Sequence, residues 1–202
     1  MGESWGVLAA VLSSGLGGAS IGATRYLVNA IDPLAIGSFR FGIGFALLLP
    51  VALLQGARWP ARRDWPAVAG LGVLYFGLFP ILFNASLIST TAARGALALS
   101  TLPLLTMVVG AALGSEALTA RKSAGVMIAM FGVAIALLSG LTSAPPGAWR
   151  GDLLMVGAAL CMALYSIWSK PFIARSGPIA FTTIAMGVGA AVIFPTTLSL
   201  IT

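Results

Sequence analysis

The sequence predicts an all-α integral membrane protein, and three observations lead to this fold class. Hydrophobic residues make up 59% of the 202-residue chain and charged residues only 8%, whereas about a quarter of a soluble domain is charged. The mean hydropathy is +1.03. Long apolar stretches recur along the chain, each close to the ~20 residues that a helix needs to cross the hydrocarbon of a bilayer.

Seven stretches are long enough to cross a bilayer, and separators that are polar, charged or contain Pro and Gly divide them. In hydrocarbon the backbone must satisfy its own hydrogen bonds, so each stretch is expected to be helical. The sequence therefore predicts seven transmembrane helices, called spans 1 to 7: Trp5–Val28, Leu34–Leu54, Trp65–Ile88, Ala92–Gly114, Ser123–Leu141, Gly151–Ile173 and Ile179–Ile201.

Glycine is frequent inside the spans, which is typical of helices that pack closely in lipid. Gly18 and Gly22 in span 1, and Gly110 and Gly114 in span 4, are each four residues apart. This spacing is a weak dimerisation signal. We therefore expect close packing within the bundle, with a homodimer as the alternative.

Lysine and arginine indicate the orientation, because cytoplasmic loops are enriched in these residues. The loops after spans 2, 4 and 6 are the basic ones, whereas the opposite side has Arg150, with Arg25 and Arg94 near helix edges. The N-terminus is therefore expected in the cytoplasm of a multi-pass protein of the bacterial inner membrane. The basic residues of the cytoplasmic loops are Arg58, Arg62, Arg63, Arg121, Lys122 and Arg175, with Lys170 at the edge.

Composition also excludes several functions. The chain has no His and one Cys, so disulfides, His- or Cys-based metal sites and Ser-His or Cys-His triads are excluded. No cofactor is expected, and an integral membrane enzyme is disfavoured. The scattered basic residues favour lipid contact and topology signals over nucleic-acid binding. Asp32, Glu116 and Asp152 all lie at helix ends, so exchange, facilitated diffusion and proton antiport remain open.

An internal repeat emerges when the sequence is aligned with itself at an offset of 145 residues. Spans 1 and 2 then align with spans 6 and 7 without a gap. A five-span unit followed by a second one predicts an inverted repeat, as in many secondary transporters. The matching pairs are Gly6 with Gly151, Leu8 with Leu153, Arg25 with Lys170, Pro33 with Pro178, Gly42 with Gly187, Gly44 with Gly189, and Pro50 with Pro195.

The repeat predicts a first unit at residues 1–142 and the start of a second at residues 150–202. The first unit ends near Gly140, so a complete second unit would end at about residue 285. We therefore expect the sequence to be a fragment or a truncated gene product. Residues 1–202 alone are expected to pack the first repeat stably but to transport poorly, because spans 8 to 10 would be lacking.

Several motifs in spans 2 to 5 occur together in the order of a known family. They are Pro33, Arg40-Phe41, Phe83-Asn84-Ala85, Ala92-Ala93-Arg94-Gly95-Ala96, Pro103, the exit sequence Gly114-Ser115-Glu116-Ala117-Leu118-Thr119, Gly125 and Gly132. As a set, they resemble EamA-type permeases of the drug/metabolite transporter superfamily. Ser115 departs from the usual Gly-Glu-x-Leu exit.

The resemblance implies ten spans in two inverted five-helix repeats around a central cavity. It implies a secondary transporter, a permease or exporter of small metabolites such as amino acids that works by alternating access. The resemblance does not identify the substrate. A non-transporting membrane subunit or assembly partner derived from a truncated permease is the alternative.

Arg40 is the most informative candidate residue, because it lies about 9 Å into span 2 at about 1.5 Å per residue. A charge inside a span usually faces the bundle interior or a watery cavity. Arg40 could therefore anchor the carboxylate of an anionic or zwitterionic substrate. The structural alternative is a snorkelling or helix-bridging arginine with a partner such as Asp32.

Four further residues are candidates for the substrate site. Tyr165 and Trp168 lie one helical turn apart in span 6 and could share a cavity face with Tyr75 of span 3. Such aromatic residues also form interfacial belts. Asn84 in span 3 either touches substrate or bridges helices through hydrogen bonds.

The remaining candidates have conformational or structural roles. Pro103 in the middle of span 4 predicts a kink that serves either packing or gating. Arg25, Arg94 and Lys170 are expected to snorkel near helix ends. Glu116 is expected to pair with the bases of loop 4–5, and Cys161 is expected to be a small packing residue.

Overall fold

The computed structural model describes residues 2–28, 30–115, 118–139 and 144–201, and this part of the chain is helical without β-strands. The helices fall close to the predicted spans, with several of the spans divided into shorter pieces. In chain order they are α1 (Gly2–Leu27), α2 (Pro33–Leu54), a 3₁₀ turn (Arg62–Asp64), α3 (Trp65–Gly72), a π-helix (Val73–Leu78), α4 (Phe79–Ser89), α5 (Ala92–Leu99), α6 (Leu102–Ala112), α7 (Ala120–Ser139), α8 (Ala148–Trp168), α9 (Lys170–Ser176) and α10 (Pro178–Ile201).

Among the described residues, five or six candidate membrane spans are found, against the seven predicted from the sequence. Within the described residues, five helices are long and apolar enough to cross a membrane: Gly6–Leu27, Leu34–Leu54, Arg62–Ser89, Ala92–Ala112 and Ala148–Trp168. A sixth span is added if α9 and α10, bent by 120°, are taken as one broken span. A multi-pass helical membrane fold is therefore confirmed, whereas seven spans and the ten-helix inverted repeat stay predictions.

Proline creates the break in span 3. Pro80 lies in the first turn of α4, directly after the π-helix. Its ring removes an N–H and collides with the carbonyl four residues earlier, that of Phe76. The helix widens at this point instead of continuing as an α-helix. The resulting bulge contains Tyr75.

Spans 4 and 6 are also interrupted next to a proline. The helix of span 4 stops at Ser100 and Thr101, and Pro103 occupies the first turn of α6. The predicted span 6 runs to Ile173, but α8 ends at Trp168 and Pro171 starts the short helix α9. Gly177, with a φ of 86°, then allows the sharp turn into α10.

Two cores hold the bundle together. In one, α4 packs against α8 through Phe83, Leu87 and Met155. In the other, α2, α3 and the π-helix enclose Phe181 and its neighbours on α10. The most extensive contact between two helices joins α2 to α10, which are the spans that the repeat pairs with each other.

Glycines allow the closest approach of these helices. A Cβ at Gly44 would lie 2.9 Å from the Met186 sulfur, and one at Gly187 would lie 2.7 Å from the Phe45 ring. By contrast, a Cβ at Gly18 or Gly22 would meet nothing within 4 Å. The prediction that Gly18 and Gly22 pack closely against another helix is therefore wrong within the described part of the chain, because this face of α1 is exposed.

Candidate functional site

Tyr75 and Tyr165 form a stacked pair where span 3 meets span 6. Their ring centroids are 4.4 Å apart and their planes differ by 19°. The π-helix carries Tyr75 and α8 carries Tyr165, and both side chains are partly buried. The structure thus brings together two of the predicted substrate-site residues, one from each predicted repeat.

Further rings extend this pair into an aromatic cluster. Phe76 lies edge-on to Tyr165 at 5.8 Å and to Phe41 of α2 at 5.2 Å. Phe181 of α10 lies 6.0 Å from Tyr165. Spans 2, 3, 6 and 7 therefore meet at one aromatic centre. We call the set the aromatic cluster: Phe41, Tyr75, Phe76, Phe79, Phe83, Tyr165, Phe172 and Phe181.

Arg40 lies at the edge of this cluster on α2. Its guanidinium carbon is 5.6 Å from the centroid of the Phe41 ring. The side chain is exposed and lines a groove of about 280 Å³ between α1 and α2, together with Thr24 and Phe39. A cation is thus available beside an aromatic surface.

Asp32 caps a helix, whereas the sequence offered it as a possible ion-pair partner of Arg40. Its Oδ1 accepts a hydrogen bond from the Leu34 N–H at 2.8 Å, so it caps the N-terminus of α2. Among the described ion pairs, none joins Asp32 to Arg40.

Asn84 and Trp168 lie outside the aromatic cluster. Asn84 is buried, and its side-chain nitrogen would be 3.8 Å from a Cβ at Gly37 of α2. Trp168 is 44% exposed and lines a separate groove. The structure therefore brings Tyr75 and Tyr165 together, with Arg40 over the neighbouring Phe41 ring, but does not place Asn84 and Trp168 among them.

The groove that Trp168 lines is the larger of the two, with a volume of about 570 Å³. It is bordered by α3 and the π-helix on one side and by the end of α8 and the start of α9 on the other, through the largely apolar residues Ala67, Leu71, Leu74, Trp168, Pro171 and Phe172. Leu74 packs against the core that contains Tyr75 and Phe76. The groove therefore opens at the face where loops 2–3 and 6–7 lie and leads toward the aromatic cluster.

A buried ionic network joins the start of span 4 to the start of span 6. The Arg94 guanidinium donates to Oδ2 of Asp152, and the Thr90 hydroxyl donates to Oδ1 of Asp152 at 2.9 Å. The two charged side chains are only 10% and 17% exposed. The prediction that Arg94 snorkels is therefore wrong, because a buried carboxylate draws the side chain inward.

A second ionic cluster lies at the opposite face. Arg175 is 3.2 Å from Asp64, whose other oxygen is 3.9 Å from Arg63. Arg58 lines a groove beside Gly177. Loops 2–3 and 6–7 therefore lie on one face, as predicted, while which face is cytoplasmic stays a prediction.

The other structural candidates are placed as follows. Pro103 lines a groove of about 510 Å³ between α6 and α7, together with Arg121 and Lys122. Arg25 is partly exposed and Lys170 exposed, so snorkelling of both stays a prediction. Glu116 lies outside the described residues. Cys161 is buried in the core between α4 and α8.

Sequence reasoning missed Pro80 and the pairing of Arg94 with Asp152. A proline in the middle of span 3 was a visible signal for a helix defect. The ion pair gave a weaker signal: Asp152 and Arg94 flank loops assigned to the same side of the membrane, but the sequence does not show that their side chains meet. The phenylalanines gave no signal, since aromatic residues in an apolar span do not reveal which helix they face.

The comparison with known proteins decides the family. Residues 4–138 match the EamA-like transporter family. The chain belongs to this family. Its members' transporter designation implies a permease rather than an enzyme.

Curated relatives of this EamA chain carry transporter names. An "Uncharacterized transporter" of Archaeoglobus fulgidus is 26% identical over 96% of this chain and 67% of its own length. The Bacillus subtilis "Uncharacterized transporter YyaM" is 26% identical over 86% of this chain and 58% of its own length. A "Probable terminal-alkyne amino-acid exporter" of Streptantibioticus cattleyicolor is 26% identical over 69% of this chain and 46% of its own length. The chain thus spans about half to two thirds of these relatives. No solved structure matches it.

Proposed function

We propose that this EamA protein is a secondary transporter of small zwitterionic or anionic metabolites such as amino acids. It carries them across the bacterial inner membrane by alternating access. The observation that carries the proposal is the position of the exposed Arg40 over the Phe41 ring, which is linked through Phe76 to the stacked Tyr75 and Tyr165. The amino-acid exporter name of one relative supports the substrate class.

The chemistry of these side chains suits an amino acid. A guanidinium binds a carboxylate through two parallel hydrogen bonds, which a lysine cannot reproduce. Aromatic faces attract an ammonium group and also pack against an apolar side chain. A cation inside a span is costly unless it faces a cavity or a ligand. Arg40 therefore fits the carboxylate end, and the tyrosines fit the remainder.

The alternative of a non-transporting subunit is not favoured, since the family and the relatives are designated transporters. No catalytic role is proposed for any described residue. The expected orientation places the N-terminus and loops 2–3, 4–5 and 6–7 in the cytoplasm.

Ligand-induced thermal stabilisation of the purified protein tests the proposed site. A ligand that binds only the folded state stabilises it by about 2.7 kcal/mol at 100 times its dissociation constant. Phenylalanine and leucine should raise the melting temperature, whereas phenethylamine and isoamylamine, which lack the carboxylate, should not. Arg40→Ala should weaken binding roughly 10- to 150-fold, since a hydrogen bond to a charged group contributes about 1.5–3 kcal/mol. Arg40→Lys should retain part of the affinity.

The matched control is Arg150→Ala, because Arg150 is exposed and stacks on its neighbour Trp149 at 5.5 Å. This variant should bind as the wild type does. Equal stabilisation by amine and amino acid, or by leucine in Arg40→Ala and wild type, would show that Arg40 has a structural role instead.

A further inference from the structure

One face of the bundle is sealed by more than the Arg94–Asp152 ion pair. We call it the gate face and define it by residues 90–94 and 148–152. Here α8 approaches the end of α4 so closely that a Cβ at Gly151 would lie 2.6 Å from the Ser86 carbonyl oxygen and 2.9 Å from the Thr90 Cβ. Ser86 and Thr90 are fully buried. Ionic and backbone contacts thus close this face together.

The opposite face, defined by residues 62–74 and 168–178, is more open. It contains the mouth of the 570 Å³ groove that leads toward the aromatic cluster. The ion pair on this face is weaker, since the Arg175 side chain is 49% exposed and exposed pairs contribute little. The two faces of the bundle therefore differ in both packing and charge burial.

We propose that Arg94, Asp152 and Thr90 form a gate that keeps the gate face closed while the groove face is open. The gate joins the turn between spans 3 and 4 to the start of span 6, so separating the two predicted repeats at this face breaks it. The proposal rests on alternating access as part of the proposed function.

Burial makes this network suitable as a gate. Loss of one partner leaves a buried charge without its counter-ion, which strongly favours an arrangement that admits water. Restoring opposite charges in exchanged positions should restore much of the attraction. A gate of this type therefore has two states, closed and open, and the fraction of molecules in the closed state depends on the ion pair of Arg94 with Asp152.

Thiol accessibility tests the gate without any substrate. The reporter is Ser86→Cys in a Cys161→Ser background, one helical turn inside Thr90. A membrane-impermeant methanethiosulfonate is applied from each side in turn, to intact spheroplasts and to inverted vesicles. From the gate face, Arg94→Gln or Asp152→Asn should raise the labelling rate at least about tenfold, through a larger open population. The exchanged pair Arg94→Asp with Asp152→Arg should return the rate toward that of the reporter background.

Thr90→Val tests the gate even if the charge variants fail to fold. Thr90→Val removes one hydrogen bond and keeps both charges, so it should raise the rate by a smaller factor. Arg150→Gln, on the same face but exposed, should leave it unchanged. Unchanged labelling in Thr90→Val and in every folded charge variant would overturn the gate, as would an increase equal to theirs in Arg150→Gln. Because no ligand is present, these results are independent of whether amino acids are transported.

Discussion

At the scale of single residues, glycines determine how closely the helices of the second core approach. A Cβ at Gly189 would collide with Phe76 and lie 2.7 Å from the carbonyl oxygen of Gly72. A Cβ at Gly72 would collide with the backbone at Ala185. These contacts involve backbone atoms, which cannot rotate away as a flexible side chain would.

Gly189→Ala is therefore expected to destabilise the protein by about 1–3 kcal/mol, the usual cost of overpacking a core. The matched control is Gly18→Ala, because a Cβ at Gly18 meets nothing within 4 Å. The melting temperature of both variants in one detergent checks this expectation. A lower value for Gly18→Ala than for Gly189→Ala would contradict the packing described here.

The sequence could predict which residues belong to the candidate site, but only some of the residues that they contact. The aromatic pair of Tyr75 and Tyr165 and the buried Asn84 follow from their places in the spans. The inward turn of Arg94 does not, because its direction depends on a carboxylate 58 residues away. The same limit explains Gly18 and Gly22, whose spacing indicates a potential contact but not the presence of a partner.

At the scale of elements, the π-helix determines where Tyr75 points. In Pro80→Ala the restored N–H can donate to the Phe76 carbonyl, so the helix can close into a regular α-helix. Loss of the bulge shifts the residues before it by about 100° around the axis, the rotation of one residue. Tyr75 would then leave its stack with Tyr165.

We expect Pro80→Ala to weaken leucine binding at least about tenfold, because the rotated segment would separate Tyr75 from Tyr165. Pro66→Ala is the matched control, since Pro66 lies in the first turn of α3, where an N–H has no partner within the helix. Isothermal titration of leucine into each variant measures the effect. Wild-type affinity in Pro80→Ala would refute a role for the bulge.

Element bounds were predictable to within a few residues, because apolar length and turn residues determine where a membrane helix begins and ends. The break beside Pro103 was also predictable. The change to π geometry was not, since hydrophobic periodicity is blurred in a helix that is apolar on all sides.

At the scale of the whole molecule, alternate loops gather on opposite faces. The contact of Arg175 with Asp64 joins loops 6–7 and 2–3, and that of Arg94 with Asp152 joins the regions around loops 3–4 and 5–6. The repeat that aligns span 2 with span 7 stays a prediction. Absolute orientation depends on the distribution of basic residues in the loops.

Arg62→Cys in a Cys161→Ser background is expected to react with an impermeant thiol reagent only in inverted vesicles, because cytoplasmic loops are rich in arginine. Changing Arg58, Arg62 and Arg63 to Ala should weaken the preference for this orientation. In that variant, Trp59→Cys takes the place of Arg62→Cys as the labelling site. Reaction of Arg62→Cys in intact cells would reverse the assigned orientation.

Counterflow in proteoliposomes tests the central claim, transport of an amino acid through the site at Arg40, most directly. Vesicles loaded with unlabelled leucine or phenylalanine are diluted into a trace of the same labelled amino acid. We expect a low but measurable transient accumulation of label by wild type and Arg150→Ala, because residues 1–202 are expected to transport poorly, and none by Arg40→Ala with unchanged expression and melting temperature. Equal accumulation by Arg40→Ala and wild type, or none by wild type with either amino acid, would contradict it.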